Sequence, residues 1–244
     1  KGTAREVRAN AVISAVGQLN RPKLPDIKGI DTFKGESFHT ARWDHKVDLT
    51  GKRVAVIGSG ASAFQVVPSI APIVGELFIF QRTPPWVNPS PDHMKDVPSG
   101  KHFLLNCVPH YAKWFRLLQF WLGCEGALAY VYSDEGWSEP GSIGVQSRYL
   151  RGQLSNHARE YLGDDPELLS KCIPKYPPGG KRMLYDDGGW FRSLKRGNVN
   201  LVSDSIAQIK GNGIGTKENQ FFDVDVIIYA TGFETSKMLW PIKI

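Results

Sequence analysis

Little in this chain points to export, thiol or membrane chemistry. Its 244 residues include only three cysteines, Cys107, Cys124 and Cys172. They form no CxxC pair and cannot all pair with one another. That argues against a disulfide scaffold or a thiolate metal site, and for a reducing, cytoplasmic setting with the thiols as packing residues. No signal-peptide pattern is visible, and the chain opens on Lys1-Gly2 rather than Met, so a piece of a longer polypeptide is expected. A membrane span needs about 20 mostly apolar residues. Residues 114–132 come nearest, but Arg116, Gln119 and Glu125 interrupt them, so a buried helix is expected there and no span. The net charge of +6 comes without a basic run or a basic-aromatic module. Nucleic acid is therefore the outsider among partners, and a phosphate-bearing cofactor explains the excess at least as well. Repeats and low-complexity tracts are absent too.

What is present reads as an ordinary globular domain, 41% hydrophobic and 22% charged, with ample material for a core. "NAVISAV", residues 10–16, is a short β-branched run expected to form a buried strand. "RPKLPDIKGI" reads as an extended connector, because each proline biases its predecessor away from helix. "KRVAVIGSGASAFQVVPSIAP" passes from a strand at 53–57 through glycines into a helix that Pro68 should end or kink. "GELFIFQRTPPW" supplies another buried strand at 77–80. From 93 to 174 the pattern turns helical, in "YAKWFRLLQFWL" and "SRYLRGQLSNHAREYL". Beyond it the chain is strand-rich, with "GNGIG" as a hairpin turn rather than a phosphate loop, since no helix follows.

The segment Gly58-Ser59-Gly60-Ala61-Ser62-Ala63 fits GxGxxG/A. The first glycine permits a tight turn and the second lets backbone approach a pyrophosphate. The small third residue lets helix pack on strand. The helix N-terminus then offers free N–H groups to phosphate. The motif follows a strand, opens a helix and precedes a second strand, which is its confirming context. That second strand ends in Gln81-Arg82-Thr83 where an NAD site carries an acid. Arg82 suits a 2′-phosphate through its planar fork, with Thr83 as a hydroxyl donor, so NADPH is the expected cofactor.

Upstream, Phe33-x-Gly35-x-x-x-His39-x-x-x-Trp43-Asp44 resembles the fingerprint of type I Baeyer–Villiger monooxygenases. "FQRTPPW", "GGKR" at 179–182 and "YATGF" at 229–233 resemble that family in matching order. The helical insertion and "KRMLYDDGGWFRSL" are most similar to its 4-hydroxyacetophenone monooxygenase branch. The resemblance implies a Rossmann-like α/β domain binding NADPH, with a parallel sheet flanked by helices and a mainly helical insertion. It implies a fragment of a flavoprotein with two dinucleotide domains, because no second GxGxxG is present for FAD.

The implied division is a joint to the FAD domain plus fingerprint linker at 1–50, and the first half of the NADPH domain at 51–92. The insertion follows at 93–174, then the second half at 175–222 and a return joint at 223–244. In the fingerprint, His39 becomes a linker anchor, Phe33 and Trp43 pack the hinge, and Gly35 permits its turn. Gly58, Gly60 and Ala63 would hold the pyrophosphate, Arg82, Thr83 and Lys181 the 2′-phosphate, and Arg182 would stand beside the flavin. The implied reaction inserts one oxygen atom of O₂ into a ketone, an aryl ketone being one option, to give an ester or lactone. FAD would be held mostly by the same polypeptide outside this stretch, which alone would be inactive. A flavin monooxygenase acting on nitrogen or sulfur shares this plan, but Trp43-Asp44 and Lys181-Arg182 argue against it. A non-catalytic NADP-binding module is the other alternative.

Overall fold

The computed structural model describes residues 5–237. In chain order it forms β1 (Glu36–His39), β2 (Arg53–Ile57), α1 (Ala61–Ile70), β3 (Glu76–Phe80) and β4 (Val87–Pro89). The helices α2 (Ser99–Cys107), α3 (Tyr111–Gly123), α4 (Glu125–Leu128), α5 (Val145–Leu162) and α6 (Pro166–Cys172) follow. Then come β5 (Leu184–Asp186), α7 (Gly189–Leu194), β6 (Val199–Val202), β7 (Ile206–Lys210), β8 (Gly213–Thr216), β9 (Phe221–Asp223) and β10 (Val226–Tyr229).

Five strands make a parallel sheet in the order β1-β10-β2-β3-β6. Parallel sheets are covered on both faces, so their strands read as continuous apolar runs. Alternation along those runs feeds two cores. Val54, Val56, Leu77, Ile79, Val226 and Ile228 face α1 and α7 in one cluster. Ala55, Ile57, Phe78, Phe80, Ile227 and Tyr229 face the other way. There they meet Ile209, Ile214, Phe222 and Val224 from the antiparallel sheet β7-β8-β9 and its flank. The hairpin expected at "GNGIG" is the β7-β8 turn, with Lys210 opposite Gly213. Helix α1 buries Ala63, Phe64, Val67 and Ile70, a stripe at spacings of one, three and three. Phe64 stacks on Trp190 of α7 at 4.1 Å between ring centroids and 7° between planes. The entry and exit segments pair with each other. Pro22 bridges Phe233 antiparallel, Lys23 N–H donates to Gly232 O at 2.9 Å, and Glu234 N–H donates to Arg21 O at 2.9 Å.

Several expectations need correction. Residues 10–16 form no strand, and Val12 and Ile13 are about nine-tenths exposed. A strand needs a partner ladder, and nothing among the described residues supplies one. The helix at Trp114 is not buried either. Trp114 is 68% and Trp121 55% exposed, and the elements that α3 chiefly packs on are its neighbours α2 and α4. Among the described residues no helix is long and apolar enough to cross a membrane. Pro68 does not itself end α1, which runs two residues further to Ile70. Of the thiols only Cys172 is a packing residue, its pKa pushed up to about 12 by burial; Cys107 and Cys124 are exposed. Residues 1–4 and 238–244, the outer parts of the two expected joints, lie outside the described residues.

Candidate nucleotide site

Ligands of open α/β sheets bind outside the carboxyl ends of the strands, and the sequence-predicted residues gather there. Gly58 leaves β2 at φ 113°, a conformation open to glycine. A Cβ on it would lie 2.5 Å from the Ala230 carbonyl oxygen at the end of β10. Its N–H donates to Phe80 O at 2.9 Å, tying the turn to β3. Ser59 Oγ donates to the Thr83 carbonyl at 3.4 Å, linking the glycine turn to the segment after β3. Gly60 caps α1 with no side-chain hydrogen bond, and nothing lies within 4 Å of where its Cβ would be. The amides beginning at Ala61 and Ser62 therefore open onto free space at the positive end of a helix. Ala63 is fully buried, and its small side chain lets α1 sit close on the sheet.

Beside this turn, Arg82, Thr83 and Pro84 line a cavity of about 500 Å³ with Ser170, Lys175 and Tyr176. Gln81 is buried and donates through Nε2 to Lys171 O at 2.7 Å, which fixes the end of β3 against α6. Trp86 Nε1 donates to Tyr176 O at 2.9 Å, and the Tyr176 hydroxyl donates back to Pro84 O at 3.0 Å. Burial holds that hydroxyl above the usual tyrosine pKa, so it stays a donor. Lys181 Nζ sits 4.9 Å from the Tyr176 ring centre. Three cations, Arg82, Lys175 and Lys181, thus surround one tyrosine. Sequence reading missed Lys175. The only signal was its place in "KYPPGGKR", six residues before Lys181, and that spacing has no meaning until the loop is folded.

Adjacent residues part company in this loop. Arg182 lines a different groove, about 830 Å³ in volume, that runs along α1 from Ala61 past Phe64 and Pro68. Its other wall includes Met183, Asp186 and Arg192. Asp186 is buried, accepts from the Gly188 and Trp190 amides, and is raised above the usual carboxylate pKa by burial.

The centre of the fingerprint belongs to the sheet, as edge strand β1 paired with β10. His39 ends that strand, 5% exposed, with Nδ1 accepting from the Ala41 N–H at 3.1 Å and its ring 5.7 Å from Phe233. Nε2 has no well-formed hydrogen bond among the described residues. Burial lowers the His39 pKa, partly offset by the Gly232 backbone and reinforced by Arg42. Phe38 and Trp43 meet edge to face at 5.0 Å, whereas Phe33 packs on the opposite core. The chain bends at Gly35, and the position also serves close approach, since a Cβ there would strike the Asp225 carbonyl and the Phe33 ring. Asp44 is exposed and accepts from the Lys46 N–H at 2.9 Å. Among the described residues no group of three or more His, Cys, Asp or Glu is placed to hold a metal.

Comparison with known proteins agrees with this architecture. The model of the flavin-binding monooxygenase-like family matches residues 2–95. The chain is similar to flavin-binding monooxygenases, Baeyer–Villiger enzymes among them. An uncharacterised monooxygenase of Sinorhizobium fredii is 41% identical over 244 residues, covering 100% of this chain and 37% of the relative. A Baeyer–Villiger monooxygenase of Streptomyces coelicolor is 35% identical over 230 residues, covering 94% and 42%. The crystal structure of OTEMO in complex with FAD and NADP superposes with a TM-score of 0.69 at 31% identity, covering 92% of this chain and 47% of that one. The chain thus spans less than half the length of these proteins.

Proposed function

We propose that this chain is the NADPH-binding part of an FAD-dependent Baeyer–Villiger monooxygenase that oxidises a ketone, an aryl ketone being one candidate, to an ester or lactone. The observation that carries the cofactor reading is the convergence of an uncapped helix behind Gly58 and Gly60 with the Arg82-Thr83 cavity. One offers N–H donors to a pyrophosphate, the other a guanidinium and a hydroxyl to a 2′-phosphate. The ends of β2 and β3 bring them together, as a dinucleotide requires. In the bound complex NADPH supplies the hydride and FAD the activation of O₂.

The protein's own residues bind and position. The amides of Ala61, Ser62 and Ala63 receive phosphate oxygens, and Ser59 steadies the turn through its bond to Thr83. Lys181, steered by the Tyr176 ring, joins Arg82 at the phosphate. Arg182, on the other side of the loop, presents a permanent cation along the α1 groove, where anionic charge on the flavin would be stabilised if that groove faces the second domain. His39 and Trp43 hold the edge strand at the joint rather than moving protons. Titration of the purified chain with NADPH and NADH tests the reading. NADPH binding at least tenfold tighter than NADH, about 1.4 kcal/mol, supports it; equal or absent binding sinks it.

A further inference from the structure

Among the described residues, helix α3 keeps most of one apolar face uncovered, with only Tyr111 and Phe115 at its margin partly sheltered. At 100° per residue, Leu117, Trp121, Trp114, Leu118, Leu122 and Phe115 fall with Tyr111 in one arc of about 160° free of polar residues. Lys113 and Arg116 lie across the axis, with Phe120 between them as the one large apolar residue on that side. The exposures along it are large: Trp114 68%, Leu122 57%, Trp121 55% and Leu118 51%. Helix α2 adds Phe103, 62% exposed, and Lys101, whose ammonium lies 4.5 Å from the Phe115 ring centre and ties the two helices together. Charge is sorted as well. The stretch 99–123 contains Lys101, Lys113 and Arg116 and no carboxylate, although the insertion as a whole carries more acidic than basic residues.

An ordinary protein partner needs neither feature in particular. A tryptophan-rich apolar face backed by basic residues, on a helix too short to span, matches the requirements of the boundary between lipid headgroups and acyl chains. Indole rings favour that depth, and Lys and Arg stems reach up from it to phosphates. We propose that the α2–α3 hairpin docks on an anionic phospholipid surface, lying in the interface with Trp114 and Trp121 inserted. The proposal stands apart from the cofactor reading, since it uses none of the same residues.

The test is co-sedimentation with vesicles of phosphatidylcholine alone and of phosphatidylcholine mixed with phosphatidylglycerol, for this chain and for the complete product of its gene. Both proteins should sediment with the mixed vesicles, be released by raised salt, and ignore phosphatidylcholine alone. The double change Lys113→Gln and Arg116→Gln should lower partitioning by about 25-fold, at about fivefold per basic residue. Trp114→Ser with Trp121→Ser should abolish it, with circular dichroism and melting unchanged because both rings are exposed. Failure of the complete gene product to bind mixed vesicles would overturn the proposal, as would equal binding by wild type and both variants. A dimer seen in sedimentation velocity, lost with the Trp changes and indifferent to vesicles, would assign the face to a second copy instead.

Discussion

Lys181 holds its ammonium 4.9 Å from the centre of the Tyr176 ring, while the hydroxyl of that tyrosine donates to the Pro84 carbonyl at 3.0 Å. One side chain therefore ties the Arg82-Thr83 segment to the loop carrying Lys181. Tyr176→Phe keeps the ring and loses the tether, whereas Tyr176→Ala loses both. A cation–π contact at a partly open site is worth about 0.5–1 kcal/mol, and a neutral hydrogen bond about as much. Tyr176→Ala should weaken NADPH by roughly 5- to 30-fold, with the Phe variant in between and NADH little changed. Equal losses for both cofactors would mean that Tyr176 merely holds the fold.

Arg82 carries the larger share of 2′-phosphate recognition in this scheme. A charge-assisted contact is worth about 1.5–3 kcal/mol, or roughly 10- to 100-fold in affinity. Arg82→Ala should cost NADPH that much and NADH almost nothing, read by fluorescence or calorimetric titration.

Because Lys181 stands over the Tyr176 ring while Arg182 lines the α1 groove, their removal should produce different defects in the complete enzyme. Arg182→Ala should stop ester formation while NADPH still binds and still reduces the flavin. Lys181→Ala should raise the NADPH requirement and spare turnover at saturation. Near-normal ester yield per NADPH consumed in Arg182→Ala would remove the catalytic role from that residue.

The stack of Phe64 on Trp190 joins the nucleotide-binding helix to α7. Truncating a buried aromatic leaves a cavity and costs about 3–5 kcal/mol. Phe64→Ala should therefore lower the denaturant midpoint sharply. Phe64→Leu should recover much of the loss, since it restores most of the volume.

Asp225 accepts hydrogen bonds from the Arg53 guanidinium at 2.8 Å and from the Arg53 N–H at 2.9 Å. These contacts, the side-chain bond foremost, hold its carboxyl below the usual range. A depressed folded-state pKa stabilises the fold above the unfolded value and loses that contribution as pH falls through the folded one. Asp225→Asn should melt earlier than wild type at neutral pH. The gap should close as pH drops below about 4. A gap that widened in acid would contradict the assignment.

The central strands of the parallel sheet were legible in the sequence because they are buried on both faces and read as apolar runs, unlike the edge strand β1, whose ESFH carries no such run. β2 and β3 were expected at 53–57 and 77–80 and lie there to within one residue, whereas β10 at Val226–Tyr229 falls in a stretch read only as strand-rich and as a joint. The β7-β8 hairpin was legible because no helix followed its glycines. The same rule failed at residues 10–16 and 114–121, since an apolar run says that a surface wants cover without saying that cover is present. Gly35 was expected at a turn and lies at a bend, but nothing in the sequence signalled that the Asp225 carbonyl, far along the chain, also leaves no room for a Cβ there. Lys175 was invisible for the same reason: its partners arrive from three separate stretches of chain.

The zipped pair at Pro22 and Phe233 has a mechanical consequence. Tension applied through Arg21 and Glu234 would meet that short antiparallel ladder first, opening it one hydrogen bond at a time in the weak, peeling direction. The parallel sheet would feel nothing until the ladder was gone. Small excursions of whatever is attached at the two ends would be absorbed there, as bending of a two-ply ribbon. The geometry between Gly58, Arg82 and Lys181 would ride along undistorted.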